Sequence, residues 1–230
     1  MKKTLLSIIL GLFSFTTSLA HALWIETNAD GAIGKAQEIK IFYGEYAAKE
    51  FEETTKWYSD VNTFSLWLVA PDGTKKQLTY TSSDHFFVAT FTPDKKGTYV
   101  LTTGHSAKDI DGTMIYQFNA SATVTVGAAT EVTSAIANNE LFLVPVKGEK
   151  QGVVKAFFKG KPVGKITIVV SGPTGWSKSF ETDENGVLKF DLLWKGWYAL
   201  EGFYTTDEKG NHFDKPYEQI WRCATTRVSL

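Results

Sequence analysis

Two stretches of this chain, roughly a hundred residues apart, carry the same punctuation. Ala70-Pro71-Asp72-Gly73 is matched by Gly172-Pro173-Thr174-Gly175. Phe91, Lys96-Gly97, Tyr99 and Leu101 are met again as Phe190, Lys195-Gly196, Tyr198 and Leu200. A period of that size is one immunoglobulin-like sandwich. The Gly-x-Tyr-x-Leu element has the form of that fold's sixth strand. Tyr99 and Tyr198 are therefore expected as corner tyrosines, with Leu101 and Leu200 in place of a buried cysteine. The fold class expected is all-β: two tandem immunoglobulin-like β-sandwich domains after a cleaved signal peptide. The expected divisions are a leader over 1–20, sandwiches over 21–127 and 140–230, and a small-residue-rich linker over 128–139.

Short runs rich in Val, Ile, Thr and aromatic residues support this, separated by turn signals. The runs expected as strands in the first half lie at 38–43, 64–69, 86–91, 98–103 and 123–126. Those of the second half lie at 152–158, 165–170, 187–192, 197–204 and 224–230. Only 44–60 and 128–139 read as coil or partly helical.

The start of the chain reads as a secretory leader. Lys2 and Lys3 precede an apolar run, Leu5 to Leu12, that is too short to span a bilayer. Ser18-Leu19-Ala20 offers a cleavage site that leaves His21 first in the mature chain; Ala20-His21-Ala22 offers another that removes it. Without Lys2 and Lys3, 22 of the 24 basic residues face 25 acidic ones, so nothing suggests nucleic acid or an anionic membrane as partner. Cys223 is the only cysteine, which excludes an internal disulfide and a cysteine-pair metal site. The reading is an exported protein, free in the periplasm.

Antiparallel strands reverse direction at each turn, so parity assigns every loop to one end of a sandwich. Counting from His21, that residue, His85 and His105 share an end with Glu45, Asp84, Asp109 and Asp111. Imidazole holds Ni(II), Co(II), Cu(II) and Zn(II), and a terminal amine with two or three imidazoles suits square-planar or tetragonal Cu(II) or Ni(II). The expected metal ligands are His21, His85, His105, Glu45, Asp109 and Asp111. His212 falls at the corresponding end of the second domain. If the sandwiches stack end to end, its loop meets the bottom of the first, as an interdomain contact. Trp176, after a Gly-Pro-Thr-Gly turn, is expected as an exposed ring.

No Gly-x-Ser-x-Gly elbow, phosphate loop, dinucleotide fingerprint or His-Glu-x-x-His occurs, so no enzyme is expected. The opening His21-Ala22-Leu23-Trp24-Ile25-Glu26 is similar to the start of an exported bacterial family associated with nickel and cobalt uptake. The resemblance continues in Lys159-Gly160-Lys161-Pro162-Val163, in Trp176-Ser177-Lys178 with Thr182-Asp183-Glu184-Asn185-Gly186, and in Trp221-Arg222-Cys223-Ala224-Thr225. It implies two immunoglobulin-like domains and periplasmic handling of a transition metal (Ni, Co or Cu), with the family's opening histidine at His21. The implied partner is a metal-uptake transporter or an outer-membrane receptor. A looser likeness is to periplasmic copper carriers; Met114, the only methionine after the leader, argues against a Cu(I) site. Two other functions fit the sequence: an adhesin-like, scaffold or glycan-binding module, and a copper oxidase built on an N-terminal histidine brace.

Overall fold

The structure is a computed structural model that describes residues 21–132, 139–146 and 151–229. The expected leader, and half of the expected linker, lie outside the described residues. Among the described residues the chain is all-β, with one turn of 3-10 helix at Val61–Thr63. The first half contains β1 (Ala22–Glu26), β2 (Gln37–Glu45), β3 (Glu50–Phe51), β4 (Leu66–Val69), β5 (Lys75–Leu78), β6 (Thr81–Ser82), β7 (Phe87–Phe91), β8 (Gly97–Asp111) and β9 (Met114–Val126). The second half contains β10 (Leu141–Val146), β11 (Gln151–Phe158), β12 (Lys161–Pro162), β13 (Thr167–Ser171), β14 (Ser177–Glu181), β15 (Val187–Asp191), β16 (Trp197–His212) and β17 (Lys215–Ser229).

These strands form three sheets. An eight-stranded sheet runs β14-β13-β16-β17-β9-β8-β4-β5 through both halves. A small sheet β1-β2-β7-β6, with β3 on β2, covers one face of it. Another, β10-β11-β12 with β15 on β11, covers the opposite face. Strand alternation explains how one sheet serves both. On β9, Phe118, Ala120, Ala122 and Val124 enter the first core, while Ser121 turns the other way and donates to the Leu143 carbonyl of β10. On β17, Ala224 enters the second core, while Trp221 packs on the first. A third apolar cluster, Val69, Val100, Phe142 and Val144, seals β10 onto β4 and β8.

The halves join where β17 pairs β9 in parallel, from Gln219↔Met114 to Thr225↔Ala120. They therefore lie side by side with their equivalent ends together, not end to end. His212 does meet the first half, through the Ala107 carbonyl at 2.9 Å, but beside its upper hairpin and not at its bottom. At the joint, Arg222 is fully buried and bonds Glu140 at 2.7 Å and Glu208 at 2.9 Å. Lys159 completes the set, 3.0 Å from Glu208. The Thr206 hydroxyl, then Lys159 and Arg222, hold the Glu208 carboxyl down at about 2.

The internal repeat has a physical basis. Tyr99 accepts the Lys95 N–H at 2.8 Å, and Tyr198 accepts the Trp194 N–H at 2.7 Å and donates to the Trp194 carbonyl at 3.0 Å. Gly97 and Gly196 share positive φ, 124° and 130°. A Cβ on Gly97 would lie 2.6 Å from Pro71, and one on Gly196 would lie 2.9 Å from Pro173. The Pro-x-Gly turn and the Gly-x-Tyr strand recur together because each packs on the other. Trp176 differs from expectation: it is half-buried, 6.0 Å from the Trp194 ring, and covers the second core.

Removing the Tyr198 hydroxyl strands two backbone groups. Tyr198→Phe should lower unfolding free energy by about 1–3 kcal/mol, read by urea titration; a loss below about 0.5 kcal/mol would show that the corner bond adds nothing.

Candidate functional site

The site begins with a turn. β2 ends at Gly44-Glu45, and Lys49, at φ 58°, brings the chain back as β3. A Cβ on Gly44, at φ 146°, would lie 2.1 Å from the Glu50 carbonyl oxygen, so only glycine permits so close a return. β1 pairs the other edge of β2, with Ala22 opposite Gly44. The register thus sets His21 beside Glu45, while the returning strand delivers Glu52.

The His21 imidazole lies between these two carboxylates. Its Nε2 is 3.0 Å from Glu52 Oε1, and its Nδ1 is 3.9 Å from Glu45 Oε1. The Tyr43 ring lies beneath it, 5.5 Å between centroids. Burial pushes the Tyr43 phenol well above its usual range. His21 itself is 37% exposed, so the site is open to solvent.

Glu201 of β16 approaches from the second half. It stands opposite Thr225 in the β16–β17 ladder, and the Thr225 hydroxyl donates to the Leu23 carbonyl of β1 at 2.7 Å. Glu201 is 8% exposed and, among the described residues, has no hydrogen-bond or ion-pair partner. Burial, and then the charge of Glu45, push its carboxyl up to about 7.

The other expected ligands have separate partners. His85 donates Nδ1–H to the Phe51 carbonyl at 2.9 Å. Phe51 precedes Glu52, so His85 stands near the His21 site without joining its bonds. His105 Nε2 bonds Asp60 at 2.9 Å, and Asp60 also accepts the Lys108 N–H at 2.8 Å. Burial raises the Asp60 carboxyl, but the His105 and Lys108 bonds outweigh it and hold it below the usual range. Asp109 accepts the Tyr58 hydroxyl through its backbone carbonyl, and Asp111 accepts the Tyr116 hydroxyl at 2.9 Å. His21 and Glu45 come together; His85, His105, Asp109 and Asp111 do not join them. Among the described residues, no group of three or more His, Cys, Asp or Glu side chains is placed to hold a metal ion. The six-residue ligand set is corrected accordingly. Parity assigns residues to an end, and that end is several side chains wide.

Sequence reasoning missed Glu52 and Glu201. Glu52 depends on the tight return at Gly44, which leaves little local trace. Glu201 had a signal: a lone acid in the apolar strand Tyr198-Ala199-Leu200-Glu201-Gly202-Phe203.

The Glu201 shift has a consequence for stability in metal-free protein. Its folded pKa, about 7, lies above its usual 4.5, so the folded state binds the proton more tightly. The resulting stabilisation is full below pH 4.5 and is lost as pH rises through 7, a change of about 3 kcal/mol. In chelator, Glu201→Gln should therefore be the more stable protein at pH 8 and show little gain at pH 4.5, by urea titration at both pH values. An equal effect at both would contradict a titrating Glu201.

Residues 18–206 match DUF4198, a domain of unknown function. No curated protein matches the sequence. Among solved structures, a DUF4785 family protein from Legionella pneumophila is similar at 15% identity and a TM-score of 0.33, over 86% of this chain and 54% of that one. Trypsin-activated alpha-2-macroglobulin from Escherichia coli is similar at 9% identity and a TM-score of 0.28, over 92% of this chain and 16% of that one. The chain thus spans about half the length of the first and a small part of the second, and likenesses this weak carry no argument. The family match covers most of the sequence, and the chain belongs to the DUF4198 family.

Proposed function

We propose that this protein is a non-catalytic periplasmic carrier that binds a divalent transition-metal ion, Ni(II), Co(II) or Cu(II), at a mature N-terminus beginning with His21. The observation that carries this reading is the division of labour around the imidazole. Nε2–H donates to Glu52 at 3.0 Å, which leaves the lone pair of a neutral ring on Nδ1. Orientation of a ligand histidine by a carboxylate on its far nitrogen is the usual supporting arrangement at metal sites. Nδ1 of that neutral ring then faces Glu45 Oε1 across 3.9 Å. Bonds of about 2.0–2.2 Å from each to one ion span that separation.

Cleavage after Ala20 adds the α-amine of His21, which closes a chelate ring with Nδ1 on the same side of the imidazole. The resulting donors are hard or borderline, nitrogen and oxygen, suited to the divalent ions named and not to Cu(I). Partial exposure of His21 suits an ion that has to be released, and the receiving partner is a metal-uptake transporter or an outer-membrane receptor. We also infer that the halves are immunoglobulin-like sandwiches, 21–127 and 140–230, that share a sheet; the corner bonds of Tyr99 and Tyr198 support this.

Intact mass of the exported protein should give a chain that starts at His21. Calorimetry with NiCl2, CoCl2 and CuCl2 should find one site, abolished in His21→Ala and weakened about 10–100-fold in Glu52→Gln. Affinity should fall from pH 8 to pH 6, because protons compete for the amine and the imidazole. A mature chain that starts at Leu23, or unchanged binding in His21→Ala, overturns the reading.

A further inference from the structure

We propose that the cleft between the two halves, at the end of the molecule away from His21, binds a small organic carboxylate through Arg227. The site is separate from the metal reading and does not depend on it.

The cleft exists because two strands of the shared sheet diverge. β9 and β17 pair only as far as Thr225↔Ala120. Below that point β9 keeps β8 on its far side down to Val126↔Gly97, and β17 keeps β16 down to Ser229↔Trp197. The chain that leaves β1 takes the edge of β9. The Thr125 N–H donates to the Ala29 carbonyl at 2.7 Å, and the Thr125 carbonyl accepts the Gly31 N–H at 2.9 Å. Among the described residues, no strand takes the matching edge of β17 over Thr226–Ser229. A cleft of about 560 Å³ opens there, a size that suits one small molecule. The first half contributes Ile25 and Thr27 to its lining, the second Val144 and Gln151, and Arg227 and Ser229 stand on the edge of β17.

Arg227 gives the cleft its chemistry. Its side chain is 10% exposed and lies 3.4 Å from Glu26 through Nη1. Its guanidinium lies 4.3 Å from the Trp197 ring and 5.9 Å from the Tyr46 ring. Its Nε is buried and has no hydrogen-bond partner among the described residues. A guanidinium carries a fork of five N–H donors. Arg222 shows how this chain satisfies such a fork, with bonds of 2.8 Å to Glu140, 2.6 Å to Thr206 and 2.9 Å to Glu208. Arg227 has one long ion pair in their place. Buried donors left unmet are costly, and a carboxylate held in the cleft would complete the set.

Three features select the class of ligand. The other charged residues of the lining, Asp30, Glu131 and Lys155, are exposed, so the charge held deep is the guanidinium. Glu26 already offsets part of that charge, which favours a monoanion over a phosphate dianion. Ile25, Val144, Leu192 and Trp197 offer an apolar surface for the body of the ligand, while a planar carboxylate matches the planar fork of an arginine.

The test titrates metal-free mature protein with sodium benzoate, with neutral benzamide and with inorganic phosphate, by calorimetry and by backbone amide chemical shifts. Benzoate should bind at millimolar concentration and move the amide signals of Thr226–Ser229 and Thr27. Its affinity should exceed that of benzamide by about tenfold or more, with phosphate weaker than benzoate. Arg227→Gln, first checked for native circular dichroism, should lose about tenfold or more in benzoate affinity, while His21→Ala should bind benzoate as wild type does. The proposal is overturned by an absence of benzoate binding, by benzamide binding as well as benzoate, by shifts confined to residues outside the cleft, or by unchanged affinity in Arg227→Gln. Phosphate binding tighter than benzoate overturns the choice of a carboxylate. Should Arg227→Gln misfold, the ratio of benzoate to benzamide affinity and the shifts in wild type decide alone.

Discussion

The parallel ladder between β9 and β17 is the constraint on which the rest depends. Strands from different halves rarely need to meet, yet here they pair from Gln219↔Met114 to Thr225↔Ala120 and turn two half-structures into one sheet. Once β17 is fixed beside β9, its alternating side chains are shared out. Arg222 and Ala224 face the sheet of the second half; Trp221, Cys223 and Thr225 face β1 and the sheet of the first. A slip of one residue would exchange these sets and bring the Arg222 charge under β1. The salt-bridged cluster of Arg222, Glu140, Glu208 and Lys159 therefore also fixes register.

The two faces of β17 treat charge in opposite ways. On one, the buried Arg222 guanidinium is met by two carboxylates, with Lys159 beside Glu208 and the Phe158 ring 4.9 Å from the guanidinium. On the other, burial and then the charge of Glu45 push the Glu201 carboxyl up to about 7.

Much of the fold was legible because its signals are local. The matched Pro-x-Gly turns and Gly-x-Tyr strands predicted the two tyrosine corners, and each strand glycine has a positive φ and leaves no room for a Cβ against its proline neighbour. The joint between the halves was not legible. Parallel pairing of β9 with β17 is made by residues about a hundred positions apart, and no turn chemistry announces it. The same gap explains the site. Parity brought His21, His85 and His105 to one end, but bonding followed the loops: Glu52 took His21, Phe51 took His85 and Asp60 took His105. Trp176 was misread because a turn residue can still fold its ring back over the core.

The hydrogen bond from Thr225 to the Leu23 carbonyl joins residues 202 positions apart, the first strand of the described chain to the last. Contacts of such separation form late, after the loop-closure entropy of the intervening chain has been overcome. A chain made from its N-terminus has β1 and β2 in hand long before β16 and β17. The surroundings of His21 are thus completed only by the final strands. A molecule truncated before β17 would leave the Leu23 carbonyl without the Thr225 hydroxyl.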